Sequence, residues 1–318
     1  MLERDLETLS AKLGERAIRE HPFGRLTTYR VGGDAAIYFV AEGEVDLHRV
    51  RIALSGSSVP FLVLGNGSNM LVSDRGFPGL VVKLGAGFDY VTIPNGARRT
   101  EMERVVVAAG AATDFPILAR KSVEAGLRGL EWAVGIPGTV GGAVRMNAGG
   151  HGSDVASCLK RCRWMDIASG TYGDGGPSEL GFGYRTSGIA PTAIVTRAEF
   201  WAQEGDRDES RSVLSDVVRW RRDNQPGGSN AGSVFTNPPG ISAGELVEAA
   251  GLKGYRHNSA SVSLKHANFI QADVGGSAAD VYELMDYVAR RVMDESGVAL
   301  SREVRLVGFD VEVGGAHS

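Results

Sequence analysis

The stretch Gly135-Ile136-Pro137-Gly138-Thr139-Val140-Gly141-Gly142-Ala143-Val144-Arg145-Met146-Asn147-Ala148-Gly149-Gly150 packs glycines among Ile, Val and Met with a single charge. Glycine lets the main chain run close against a large flat ligand and turn its amides toward phosphate or ring heteroatoms. The aliphatic residues imply burial, and buried irregular backbone needs a partner for each N–H. A bound ligand satisfies both demands. A second loop, Gly65-Asn66-Gly67-Ser68-Asn69, directly follows the short apolar run Phe61–Leu64, which suits a buried strand. Its glycines can form an anion-binding concavity, with Ser and Asn as neutral donors suited to a pyrophosphate, although a tight turn also explains it. Met70 follows where a Rossmann fingerprint continues with glycine, and no Gly-Lys-Ser/Thr makes it a Walker A loop.

Around these loops the composition is globular. Of 318 residues, 44 are glycine, about twice the usual share. They lack the three-residue period of collagen, and aliphatic segments alternate with charged ones, unlike a disordered chain. The length allows one large or two to three ordinary domains. With 34 Lys+Arg against 38 Asp+Glu, the net charge of −4 offers no basic stripe for nucleic acid. The uncharged stretch Trp132 to Val144 is too short and glycine-rich to span a bilayer, and Met1 to Ser10 is acidic where a signal peptide is basic and then apolar. A soluble, cytoplasmic protein with no nucleic-acid or membrane partner is expected. Cys158 and Cys162, four residues apart with no nearby His pair, read as ordinary reduced thiols, and no metal is expected.

Along the chain, Val45, Val50, Ala53 and Leu54 predict a helix within 42–55, followed by strands at Phe61–Leu64, Met70–Val72 and Leu80–Val82. A strand is expected at 104–110 and a helix from Asp114 to Ala125, with Asp114 at the N-cap, Pro116 in the first turn and Gly126 as the stop. Short strands are expected over 165–200. Charged residues after Gly205 suggest a boundary and a helix through Val213, Val217, Val218 and Trp220, ended by Gln225-Pro226. Ser242 with Glu245, and Ser277 with Asp280, have capping-box spacing. The second of these helices puts Val281, Leu284, Met285, Val288 and Val292 on one face, to pack on a sheet containing Ala267 to Ala272. The strand Val304 to Val313 closes the chain and returns to an earlier domain.

Further chemistry-bearing residues are scattered: Tyr184-Arg185, Ser233 in Ala231-Gly232-Ser233-Val234-Phe235, Asn237, His266 in Lys265-His266-Ala267-Asn268-Phe269, and Glu303. Each has a bland reading as an ion pair, a loop hydroxyl or a satisfied histidine. No G-x-S-x-G elbow surrounds Ser233, which argues against a serine hydrolase.

In joint order and spacing these motifs resemble the UDP-N-acetylenolpyruvoylglucosamine reductase family. The resemblance runs from Thr27-Thr28-Tyr29-Arg30-Val31-Gly32-Gly33 through both glycine segments, Tyr184-Arg185, Ala231-Gly232-Ser233, Ala249 to Tyr255 and Lys265 to Ile270, to Glu303-Val304-Arg305. It implies an α+β protein with a non-Rossmann FAD-binding fold: subdomain 1 over 1–85, subdomain 2 over 86–205 with 300–318, and a substrate-binding α+β domain over 206–299. It also implies a flavoprotein of peptidoglycan precursor synthesis. NADPH would reduce FAD, and UDP-N-acetylglucosamine enolpyruvate would then enter the same cleft and be reduced to UDP-N-acetylmuramate. FAD would lie on Gly65, Asn66, Gly67, Ser68, Asn69, Ile136, Pro137, Gly138, Thr139, Gly141, Gly142, Asn147, Ala148 and Gly149. Ser233 would donate the proton, with Arg185 and Glu303 positioning and stabilising the enol system. Tyr184, Asn237, Lys253, Tyr255, His266 and Asn268 would face the substrate.

The short interval after Tyr184-Arg185 resembles the family type without an extra lid loop. Thr236 stands where Lys is common, and His257-Asn258-Ser259 replaces glycine-rich residues. A related reductase acting on another nucleotide sugar is therefore one alternative. A second is an oxidase of the same flavin superfold, since His151 and Cys158 lie near the flavin block where such enzymes attach FAD covalently. NADPH over NADH and the oligomeric state are not written in the residues; a monomer is compatible with them.

Overall fold

The computed structural model describes residues 2–94 and 104–309. The chain forms two compact units: unit 1 takes Met1–Ile18, Phe39–Asn66 and Val81–Asp223, and unit 2 takes Arg19–Tyr38, Gly67–Leu80 and Asn224–Ser318. In chain order the elements begin α1 (Leu2–Leu13), β1 (Ile18–His21), β2 (Ala35–Ala41), α2 (Glu44–Leu54), β3 (Phe61–Leu64), β4 (Met70–Val72), β5 (Phe77–Leu84), β6 (Val91–Thr92), β7 (Arg104–Gly110), α3 (Phe115–Glu124) and β8 (Leu127–Arg128). They continue with α4 (Val140–Arg145), β9 (Gly149–Gly150), β10 (Ser153–Asp154), α5 (Val155–Cys158), β11 (Leu159–Asp166), β12 (Tyr172–Gly175), α6 (Pro177–Leu180), β13 (Ala193–Glu204) and α7 (Arg207–Asn224). The last are α8 (Ala243–Ala249), β14 (Arg256–His257), β15 (Ala260–Val262), β16 (Ile270–Ala272), α9 (Ala278–Ser296) and β17 (Arg305–Val307). No helix among the described residues is long and apolar enough to cross a membrane.

Unit 1 is built on an antiparallel sheet in the order β12-β11-β13-β7-β6, with β8 joined to the end of β13. The Val105-Val106-Val107 run makes β7 a good strand, and β13 is long enough to serve β11 on one side and β7 on the other. Helix α3 buries Phe115, Leu118, Ala119 and Val123, carries Pro116 in its first turn, and is followed by Gly126 at φ +76°. Asp114 occupies the N-cap, but its side chain does not cap. In α2 the buried apolar face is Leu47, Val50 and Ala53, whereas Val45, expected inside, is exposed. Asp46 is buried on the inward side as well, its carboxylate accepting from the Glu42 N–H at 2.8 Å and pairing with Arg16.

Helix α7 belongs to unit 1. Arg211 bridges to Glu124 of α3 (2.6 Å), and Ser210 donates to Glu131 (2.9 Å). The charged stretch after Gly205, expected to open the substrate domain, therefore opens a helix of unit 1, and the division falls between Asp223 and Asn224. The helix turns Ser210, Leu214 and Val217 inward, leaving Val213, Val218 and Trp220 exposed. Strands β1, β2, β5 and β3 follow one another in a four-stranded sheet.

In unit 2, β14-β15-β16 form an antiparallel sheet, and α9 sets the expected face of Val281, Leu284, Met285, Val288 and Val292 into the core with Ala272 of β16. Tyr29, Leu71, Val234 and Phe235 share that core. Ser242 and Glu245 make both bonds of a capping box. Ser277 caps α9, but Asp280 returns no bond to it; its carboxylate accepts from Asn258 and Ser259 instead. The closing strand is β17, paired in parallel with β4 at Arg305↔Met70, Leu306↔Leu71 and Val307↔Val72. Segment 300–309 thus joins residues 70–72 rather than 86–205, and 310–313 of the expected strand lie outside the described residues.

Candidate functional site

In unit 1 the two glycine segments meet. A Cβ added at Gly65 would lie 2.8 Å from Thr139 Oγ1, so a side chain there would force Thr139 to shift. Asn66 Nδ2 donates to Asp114 Oδ1 at 2.5 Å, so the carboxylate expected to cap α3 holds the loop instead. The second segment is less irregular than its glycines suggest. Thr139 caps the short helix α4, accepting from Gly142 N–H at 3.3 Å. The N–H groups of Val140 and Gly141 donate to Thr113 O (2.8 Å) and Ala111 O (2.9 Å). The amides of Gly141 and Gly142, expected to face a ligand, thus bond to Ala111 O and Thr139 Oγ1 inside the protein. Just before the segment, the buried donor Trp132 Nε1, in a residue 6% exposed, has no hydrogen-bond partner among the described residues.

The Tyr184-Arg185 pair sits at the tip of a tight turn closed by Gly183 N–H to Thr186 O at 3.1 Å. Arg185 has φ +57°, its guanidinium lies 5.2 Å from the Tyr184 ring centroid, and its Nη2 donates to Gly149 O at 2.9 Å. Tyr184 is exposed.

In unit 2 the segment that follows Ser233 pairs with the segment of Glu303 through an isolated bridge, Phe235↔Arg302. Glu303 N–H donates to Val234 O (2.8 Å), and Thr236 N–H to Ser301 O (2.9 Å). The half-buried Ser233 hydroxyl has no hydrogen-bond partner among the described residues. Asn268, 3% exposed, clamps this segment: its Oδ1 accepts from Phe235 N–H (2.9 Å) and its Nδ2 donates to Phe235 O (2.8 Å). Both ends of the amide of this residue, expected on the substrate, thus bond to the main chain. Asn69, expected on the pyrophosphate, likewise donates to Glu303 O at 3.0 Å. Gly67 needs its φ of +60°, and a Cβ there would lie 2.7 Å from Thr27 Cα.

Among the other candidates, Asn237 Oδ1 accepts from Ala243 N–H (3.0 Å), Lys253 pairs with Glu248 (2.8 Å), and Tyr255 stacks on Tyr287. Asn268 N–H donates to His266 Nδ1 at 3.2 Å, so the neutral ring presents Nε2–H as a donor. Burial, with Lys253 nearby, holds this imidazole below its ordinary pKa.

Residues 224–307 match the family described as "UDP-N-acetylenolpyruvoylglucosamine reductase, C-terminal domain", and residues 35–174 match "FAD binding domain". A relative named UDP-N-acetylenolpyruvoylglucosamine reductase from Heliobacterium modesticaldum is 40% identical over 92% of this chain and 90% of its own. Another, UDP-N-acetylenolpyruvoylglucosamine reductase 1 from Bacillus thuringiensis subsp. konkukian, is 38% identical over 95% and 98%. The chain belongs to the UDP-N-acetylenolpyruvoylglucosamine reductase family. The solved UDP-N-acetylenolpyruvylglucosamine reductase from Thermus caldophilus superposes with a TM-score of 0.76 at 36% identity, covering 92% of this chain and 99% of that one. A berberine-bridge-enzyme-like protein of Physcomitrella patens (variant D396N), 13% identical with a TM-score of 0.52 over 94% and 90%, shares the fold alone.

The residues present fit the FAD of this reductase family on two counts. The two glycine segments pack directly on each other, with Gly65 against Thr139 and no space for a Cβ between them, and the buried Trp132 indole N–H has no hydrogen-bond partner among the described residues. Covalent attachment of the oxidase kind finds no support at Cys158: burial pushes its thiol up to about 12, and it donates to Asp154 O and Val155 O. Burial pushes the Cys162 thiol up to about 12 as well, and both cysteines are free. His151 stands edge-on to Trp220, with burial lowering its pKa. The departures from the reductase pattern also have local work. Thr236 Oγ1 donates to Ser301 O, His257 pairs with Glu283 (2.8 Å), and Asn258 and Ser259 hold Asp280 of α9. His257, Asp280 and Glu283 have ligand atoms within 4.8 Å of one another, but these hydrogen bonds already serve them.

Proposed function

We propose that the protein is an FAD-dependent, NADPH-driven reductase converting UDP-N-acetylglucosamine enolpyruvate to UDP-N-acetylmuramate in peptidoglycan precursor synthesis, a cytoplasmic step. The observation that carries this reading beyond family membership is the half-buried Ser233 hydroxyl, which has no hydrogen-bond partner among the described residues and directly precedes Val234, whose carbonyl accepts from Glu303 N–H. A serine hydroxyl is a very weak acid, so it serves only beside a strongly basic carbanion within hydrogen-bond reach. An enolpyruvyl group acquiring a hydride at C3 becomes such a base at C2.

When bound, FAD supplies the two-electron relay from NADPH to the enolpyruvyl group. Gly65, Asn66, Gly67, Ser68, Ile136, Pro137, Gly138, Thr139, Ala148 and Gly149 would hold it, within segments 1–85 and 86–205. Arg185 presents a planar fork to the substrate carboxylate and lowers the cost of charge developing beside it. Ser233 delivers the proton to C2, and Glu303 orients the enol system. Tyr184, Asn237, Lys253, Tyr255 and His266 recognise the rest of the sugar nucleotide, the last four from 224–299.

The purified protein should be yellow, release FAD on acid precipitation and bleach anaerobically with NADPH. Reoxidation by UDP-N-acetylglucosamine enolpyruvate should far outpace reoxidation by oxygen; the reverse order would identify an oxidase. Ser233→Ala should leave reduction by NADPH near normal and slow reoxidation by the sugar about 10² to 10⁴-fold.

A further inference from the structure

We propose that Asn147 is a positioning residue for Arg185, holding the turn that presents the guanidinium rather than contacting the flavin; this rests on the role assigned to Arg185 above. Asn147 is 6% exposed and follows α4 with φ +41°. Its Nδ2 donates to Gly183 O at 3.0 Å, at the base of the Tyr184-Arg185 turn, and reaches Asp154 Oδ2 at 3.5 Å. Its Oδ1 accepts from Ala156 N–H at 2.9 Å. The side-chain amide is thus used at both ends inside the protein, which leaves it little to offer a cofactor.

Two residues on, Gly149 O accepts from Arg185 Nη2, and a Cβ at Gly149 would come within 3.2 Å of Arg185 Nη1. Two residues back, Arg145 O accepts from Ser187 Oγ at 2.7 Å. One short segment therefore grips the turn before, at and after Arg185. The grip has a physical reason. Arg185 sits at φ +57°, a conformation that a side-chain-bearing residue keeps only where its surroundings over-determine it. Without the Asn147 bond, the turn can relax toward ordinary φ and carry the guanidinium away from where the carboxylate must meet it.

The test uses flavin-loaded protein in anaerobic stopped flow, following reduction by NADPH and reoxidation by UDP-N-acetylglucosamine enolpyruvate. Asn147→Asp keeps the shape, the tolerance of left-handed φ and the acceptor for Ala156, but replaces the donor to Gly183. It should slow reoxidation about 10 to 100-fold, while FAD content stays full and the reduction rate stays within about threefold. In Arg185→Ala the same change should add less than about threefold, since the positioned group is gone. Equal slowing of both half-reactions, or a full multiplicative effect in Arg185→Ala, overturns the proposal. If Arg185→Ala slows reoxidation and Asn147→Asp does not, the proposal alone falls. If Arg185→Ala leaves reoxidation unchanged, the assigned role of Arg185 falls and the proposal with it. Should Asn147→Asp lose FAD, Asn147→Gly, which adopts the same φ without strain, repeats the measurement; loss of FAD in both variants overturns the proposal.

Discussion

The side-chain amide of Asn69 donates to the main-chain carbonyl of Glu303 across 3.0 Å, and the N–H of Arg305 returns a bond to Asn69 O at 3.1 Å. The tip of the first glycine loop therefore fixes the height of the acidic residue proposed to orient the substrate. Asn69→Ala should cost about 1 kcal/mol of stability from the lost bond. It should also slow sugar-dependent reoxidation more than reduction by NADPH. Denaturant titration and the two half-reactions check this; an unchanged reoxidation rate would refute the link to Glu303.

Gly65→Ala places a methyl 2.8 Å from Thr139 Oγ1. Overpacking of this kind costs about 1 to 3 kcal/mol, and here it also forces Thr139 to shift. FAD affinity, measured by fluorescence on reconstituting stripped protein, should fall. Adding Thr139→Ala should recover part of that affinity while losing the α4 cap, worth about 1 kcal/mol. No recovery would mean the crowding lies elsewhere.

Asn268→Ala orphans both the N–H and the C=O of buried Phe235. Each unsatisfied buried group costs about 1 to 3 kcal/mol, so a fall of several degrees or more in Tm is expected, with activity lost through displacement of Ser233. A variant of wild-type Tm but raised KM would instead restore Asn268 to the substrate.

These two asparagines show what the sequence conceals. Asn69 and Asn268 look like ligand donors because they stand among glycines or beside a histidine. Their partners, Glu303 and Phe235, are distant in sequence, and nothing local announces which backbone group will arrive. Helix faces were far more legible. The 3.6-residue period placed Val281 to Val292 of α9 correctly, whereas in α2 the apolar residues allowed two stripes, of which the one containing Leu47 is buried. Helix α4 was hidden by Gly141-Gly142, which favour irregular backbone until Thr139 caps them. The family's motifs mark Ser233, Arg185 and Glu303, but the pairing of the segment after Ser233 with that of Glu303 joins residues about 70 apart and has no local signal.

Burial holds the His266 imidazole below its ordinary value near 6.5. The unfolded chain takes up this proton at a higher pH than the folded one, so unfolding gains protons as the medium is acidified. His266 therefore contributes stability above its unfolded pKa, and that contribution is lost as pH falls through the lower folded value. Tm measured from pH 8 to 5 should drop more steeply in the wild-type protein than in His266→Gln, with the curves parallel above about pH 7. Parallel curves throughout would exclude His266 as the source.

The parallel pairing of β4 with β17 gives the molecule a history as well as a shape. Strand β4 is synthesised roughly 230 residues before its partner, which at about 5 to 20 residues per second is on the order of 10 to 50 seconds of translation. Leu71, fully buried in the finished protein, has no β17 to lie beside during that interval. Unit 2, drawn from three separated segments, can close only when the last of them leaves the ribosome. A nascent chain of this design spends most of its synthesis with a sticky edge exposed, a natural client for chaperones that guard unfinished β-structure.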